Sequence, residues 1–151
     1  NVFAVTDSMG ALFLNAQLND GATARIDPRT CTAFGVDLMA PETHVLPGDT
    51  FFLDAEVCNP DEPVTLPLFV LLDVGTGEYW FYPSWISSRD GIDYENVTVI
   101  SGSSTRAILP AFTWPDTGDL SLEVHFFGAF TDPEITQIIG TVDQVAVFIG
   151  M

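Results

Sequence analysis

The chain has 151 residues, and 21 Asp and Glu against four cations, all Arg, set its formal charge at −17. Arg25, Arg29, Arg89 and Arg106 cannot build a face that displaces phosphate counterions, so nucleic acid is excluded as a partner and anionic membrane surfaces are disfavoured. With 47% hydrophobic and 12% aromatic residues, the sequence is still no acidic tail; its length suits a single domain, 1–151, burying roughly 68–70% of its unfolded surface.

In chain order, a period of two dominates. Val2 to Thr6 and Leu12 to Leu18 read as strands, the second placing Leu12, Leu14, Ala16 and Leu18 on one face. Ala22 to Ile26 and Phe34 to Met39 follow. In Thr50 to Cys58, Phe51, Leu53, Ala55 and Val57 alternate with Phe52, Asp54 and Glu56, the pattern of a half-buried strand. Leu66 to Val74 is apolar almost throughout, as for a central strand packed on both faces, and Tyr79 to Tyr82 is its expected hairpin partner across Gly75-Thr76-Gly77. Val97 to Ile100, Thr105 to Leu109, Leu120 to Phe127 and Thr141 to Ile149 complete the set, separated by turns such as Pro47-Gly48-Asp49 and Asn59-Pro60-Asp61. One segment, 132–139, invites a short helix: Asp132 as N-cap, Pro133 at the first helical position, and Ile135, Ile138 and Ile139 as an apolar face before Gly140. The expectation is an all-β antiparallel sandwich, Greek-key and Ig-like or jelly-roll-like, with a barrel as the lesser alternative.

The ends and the cysteines bear on location. The sequence begins at Asn1 without Met or a basic leader, which reads as a mature chain or an excised domain and makes export plausible. No apolar run is long enough to span a bilayer as a helix, so no membrane insertion is expected. Cys31 and Cys58 are too few and too far apart for a paired zinc site and read as a disulfide, with two buried thiols as the alternative. The expected setting is extracellular or cell-surface.

Catalytic patterns are sparse. His44 falls in a loop and His125 within a strand, no Gly-x-Ser-x-Gly elbow is present, and Gly102-Ser103-Ser104 lacks the lysine of a phosphate-binding loop. With so many acids, a pair at glycosidase spacing means little, and no enzyme activity is expected. Asp90, Asp93 and Glu95, gathered around Gly91 with Asn96, offer hard oxygen ligands, so Ca2+ is the ion they could take although no cofactor is required; solvated loop acids are the plainer reading. Trp80, Tyr82 and Trp85 could form an aromatic platform for a glycan or protein, or plug the end of the core. Asn96-Val97-Thr98 matches a glycosylation acceptor.

Pro47-Gly48-Asp49, Leu53-Asp54, Asn59, Pro67 to Val74, Tyr79 to Trp85 and Thr113-Trp114-Pro115 together resemble a β-sandwich module carried by secreted or surface proteins of Gram-negative bacteria. The resemblance implies a β fold and an extracellular setting, and brings no catalytic residues with it. Asn1 to Arg29 lies outside it. That segment has strand-like side chains at Val2, Phe3, Val5, Leu12 and Leu14, which either pair within the domain or complete a neighbour's sheet. The leading expectation is therefore a structural subunit of an extracellular assembly, its partner a further copy of itself in a filament joined by N-terminal strand donation. The alternative is a calcium-assisted carbohydrate- or protein-binding module.

Overall fold

The computed structural model describes residues 30–150 and, before them, the strand backbones β1 (Val2–Thr6), β2 (Leu12–Gln17) and β3 (Thr23–Ala24). The chain divides into two compact units, Asn1–Thr32 and Ala33–Met151. In the first, the three strands form an antiparallel sheet in the order β1-β2-β3, with Val2 opposite Ala16, Thr6 opposite Leu12, and Gln17 opposite Thr23. The donor side chains expected at Val2, Phe3, Val5, Leu12 and Leu14 lie outside the described residues.

The second unit carries β4 (Gly35–Met39), β5 (His44–Val45), β6 (Thr50–Asn59), β7 (Val64–Asp73), β8 (Tyr79–Phe81), β9 (Ile86–Ser87), β10 (Glu95–Val99), β11 (Gly102–Thr113), β12 (Leu122–Thr131) and β13 (Ile138–Ile149). They make one ten-stranded sheet in the order β11-β6-β4-β13-β12-β7-β8-β9, with β10 on β7 and β5 on β13. The all-β expectation holds, but the sheet is mixed and curled into a half-barrel, not a plainly antiparallel sandwich. Its parallel pairings are β5 with β13 and a single bridge, Thr141 opposite Gly35, between β13 and β4. His44, read from sequence as a loop residue, lies on β5, where its Nε2 is 2.7 Å from the Gly150 carbonyl oxygen.

Alternation builds the core. On β6, Phe51, Leu53, Ala55, Val57 and Asn59 are buried while the residues between them are at most half-buried. They face Val36 and Leu38 of β4, Leu66, Leu68 and Val70 of β7, Val97 and Val99 of β10, and Val124, Phe126 and Phe130 of β12, all in one cluster. The curl brings β6 and β4 over β12, stacking Phe51 on Phe126 at 6.2 Å between ring centroids. Two glycines permit this close approach: a Cβ on Gly35 would fall 1.9 Å from Thr141 Oγ1, and one on Gly128 would meet Leu38 Cδ2 at 3.1 Å. Asp143 extends the seam between β13 and β4, its Oδ2 accepting the Leu38 N–H at 2.7 Å.

Asn59 is the buried polar residue of this core, 1% exposed. Its Nδ2 donates to the carbonyls of Glu62 at 2.9 Å and Val99 at 3.2 Å, and its Oδ1 accepts the Asp61 N–H at 3.0 Å. Such satisfaction is what allows an amide inside an apolar core. It also fixes the turn from β6 into β7 against β10.

The helix expected over 132–139 does not form, and no helix occurs among the described residues. Thr131 and Ile138 are instead paired across the β12–β13 hairpin. Asp132 organises the intervening loop: its Oδ1 accepts the N–H groups of Thr136 at 2.6 Å and Gln137 at 3.0 Å, and its Oδ2 accepts the Thr136 hydroxyl at 2.5 Å. The side chain that would cap a helix thus caps a turn, and Ile135 enters the left-handed region at φ 57°. The Thr136 hydroxyl first, opposed by partial desolvation, then the loop amides, hold the Asp132 carboxyl below its ordinary range. Cys31 and Cys58 are both disulfide-bonded, as the cysteine count led one to expect.

Candidate functional site

The segment from β8 to β10 gathers the aromatic and acidic residues singled out in the sequence. Trp80 lies opposite Leu72 and Ser87 and is half-buried on the core side of the sheet. Beyond β8, Trp85 takes a left-handed backbone at φ 54°, uncommon for a residue with a side chain. This turn folds the segment onto the core. Tyr82 and Trp85 pack against it, their ring centroids 6.0 Å apart, and Trp85 reaches Phe126 edge-on at 6.5 Å. Those two rings close an end of the core, the plainer of the two roles considered for them.

The acids are placed differently from one another. Asp90 is exposed at a turn, its N–H bonded to the Ser87 carbonyl at 2.9 Å. Asp93 Oδ2 accepts the Ser84 N–H at 3.1 Å and its Oδ1 accepts the Tyr94 N–H at 2.9 Å. Hydrogen bonding, led by the Ser84 side chain, holds its carboxyl below the ordinary range against partial desolvation. Glu95 Oε2 accepts both the Tyr82 hydroxyl and Arg106 Nη2, each at 2.6 Å. The Tyr82 hydroxyl is the chief reason that the Glu95 carboxyl stays below its usual range, with Arg106 adding to it and desolvation opposing. Burial, then the hydrogen bond to Glu95, pushes the Tyr82 phenol up. Among the described residues no group of three or more His, Cys, Asp or Glu is placed to hold a metal ion. Chemically, this is a carboxylate held by a phenol and a guanidinium, tying β10 to β11 and to the loop after β8.

In the sequence Arg106 is one of four scattered cations, with nothing local to mark its role. Its place on β11, across the loop from three acids, was the signal available for its role. His125, the other histidine, sits on the outer side of β12 with Nε2 2.9 Å from Glu123 Oε1 and Nδ1 2.7 Å from Gln144 Nε2.

The outer face of the sheet is unusually apolar. Leu71 lies opposite both Phe81 and Phe127, and Phe69 lies opposite Ala129. The Phe69 ring meets Tyr94 at 5.1 Å and Phe81 edge-on at 6.5 Å. Phe69, Leu71, Tyr79, Phe127, Ile138 and Val142 line a shallow groove of about 370 Å³ here. Ile138 is 56% and Val142 52% exposed. The apolar run of β7 is thereby explained: one set of its side chains enters the core, and the other set lines this groove. Asn96, of the glycosylation pattern, is exposed on β10.

No helix among the described residues is long and apolar enough to cross a membrane. No family model and no curated protein matches the chain. Among solved structures, the sporulation control protein Spo0M from Bacillus subtilis is similar at 15% identity and a TM-score of 0.41, over 79% of this chain and 50% of that one. The chain thus corresponds to about half the length of that protein.

Proposed function

We propose that the chain is a non-enzymatic structural subunit of an extracellular or cell-surface assembly, and that a second copy of the chain covers the outer sheet face. The observation that carries this reading is the groove between Phe69 and Val142 in a chain of charge −17. Copies of so acidic a protein repel one another over most of their surface, and a patch lined by uncharged side chains is where they can meet without opposing carboxylates. The disulfide fits a non-cytoplasmic setting, as does the resemblance to modules of secreted and surface proteins. In the sharper form, a filament, the N-terminal strand is the donor; β1 pairs with β2 and, among the described residues, with no other strand.

Sedimentation and electron microscopy of the purified chain, of Val142→Glu and of a deletion of residues 1–10 test the proposal. Assemblies of the parent chain that weaken in Val142→Glu are expected, and loss on deletion would add strand donation. A parent chain that is monomeric at all concentrations, or assemblies indifferent to Val142→Glu, would overturn it. Calcium-assisted recognition through Trp80, Tyr82, Trp85, Asp90, Asp93 and Glu95 is the lesser reading, because it asks Tyr82 and Trp85 to leave the core and Glu95 to leave Arg106.

A further inference from the structure

We propose that the open end of the core between β6, β7, β12 and β13 is a binding site for a small, neutral, apolar molecule. A cavity of about 230 Å³ lies there, lined by apolar and aromatic side chains that include Phe51, Leu72, Trp114, Leu120, Phe126 and Val147. Protein interiors leave few voids larger than a water, so a gap of this size departs from ordinary packing. Water is a poor occupant, since an ordered water needs two to four polar partners and this wall offers apolar surface.

The wall is held in place. Phe51 meets Trp114 edge-on at 5.7 Å and stacks on Phe126 at 6.2 Å. Trp114 itself is pinned through its main chain, its N–H donating to the Asp49 carbonyl at 2.7 Å and its carbonyl accepting the Gly48 N–H at 2.9 Å. A site that keeps its shape when empty loses little freedom on binding. Leu120, 45% exposed, is the lining residue that reaches solvent and marks the entrance.

Size and charge select the ligand class. An apolar cavity of about 150 Å³ takes benzene, so this one holds about nine heavy atoms. An anion would meet both an apolar wall and the field of a strongly acidic chain, so a neutral molecule is preferred to a carboxylate of the same shape. The cavity wall presents no polar surface, so a polar group on the ligand would find no partner there. The inference stands apart from assembly through the outer face, because its residues lie on the opposite, core side of the sheet.

The test is calorimetry and thermal denaturation of the full chain with propylbenzene, which has nine heavy atoms, and with benzoate, an anion of the same heavy-atom count. Saturable binding of one propylbenzene per chain, with a rise in melting temperature, is expected, together with at least tenfold weaker binding of the anion. Val147→Phe, which fills the cavity, should weaken propylbenzene at least tenfold. If that variant does not fold, Leu120→Asp at the exposed entrance supplies the same reading, with at least a threefold loss. No saturable binding to the parent chain, equal affinity for the anion, or binding unchanged in the folded variants would each overturn the proposal and leave a packing gap only.

Discussion

Replacing Asn59 by Leu probes the junction on which the two halves of the core depend. Leucine keeps the branched heavy-atom skeleton, with methyls in place of the amide, so what chiefly changes is the set of three hydrogen bonds. The Asp61 N–H and the Glu62 carbonyl belong to exposed residues and can turn to water. The Val99 carbonyl cannot, since Val99 is 1% exposed. Loss of the bonds costs about 1 kcal/mol for each of the two that water partly replaces, and an orphaned buried carbonyl costs about 1–3 kcal/mol. Better burial of leucine returns part of this, so a net loss of about 2–4 kcal/mol is expected. Urea denaturation followed by tryptophan fluorescence measures it. Asn59→Asp sharpens the test: its carboxylate would face two carbonyls, whereas its protonated form donates to one of them. That variant should gain stability, relative to the parent, as pH falls toward 4. A loss below about 1 kcal/mol in Asn59→Leu, or no relative gain for Asn59→Asp at acid pH, would refute the hydrogen-bonding account.

Three further outcomes follow from the same structure. Because the Glu95 carboxyl is held below its unfolded value, it contributes stability above about pH 4.3, and the contribution is lost as pH falls through its folded value. Denaturation between pH 3 and 6, in steps of roughly one unit, should therefore show a shallower acid slope in Glu95→Gln and in Tyr82→Phe; slopes equal to the parent's would count against the network. Replacing Cys31 and Cys58 together by Ser removes a cross-link over a loop of about 27 residues and should cost about 3.5 kcal/mol, measured by chemical denaturation, with no change contradicting the loop-closure argument. Asp132→Ala should speed amide exchange at Thr136 and Gln137 while leaving the central β6 amides protected, and unchanged exchange in the loop would show that its carboxylate is dispensable.

Much of the strand pattern was legible because side-chain alternation is local. The β6 run from Phe51 to Val57 shows in sequence the same faces that it shows in structure, and the β7–β8 hairpin follows from Gly75 and Gly77. What escaped depends on partners distant in sequence. β5 and β9 have two residues each, too short for any periodicity to register. Asp132 and Pro133 signal a start equally well for a helix and for a capped turn, and the pairing of Thr131 with Ile138 decides between them. The curl rests on Gly35 meeting Thr141 and on Gly128 meeting Leu38, contacts that no local pattern announces. At the acidic cluster, residue type was informative and direction was not: Glu95 turns to Tyr82 and Arg106, and Asp93 to the chain around Ser84.

The seam between β4 and β13 carries a mechanical consequence. Each wing of the sheet is zipped by long antiparallel ladders, but between β4 and β13 the links are the bridge at Thr141 and Gly35, a contact from the Thr141 N–H to the Phe34 carbonyl at 3.2 Å, and the Asp143 carboxylate on Leu38, while β5 adds two rungs at the end of β13, from the Phe148 N–H to the Thr43 carbonyl at 2.7 Å and from the Gly150 N–H to the Val45 carbonyl at 3.2 Å. Under load, a ladder of many rungs shares the force, whereas a seam of so few yields almost at once. A pull that separates the wings would therefore open the half-barrel along this line while both wings stay intact, exposing the Phe51 and Phe126 faces as a clam opens. Resistance to such opening then resides in the apolar contact across the core, with the β5 rungs and the ties of Asn59 to Val99 and of Arg106 to Glu95 beside it, and the apolar share should soften on cooling sooner than the ladders do.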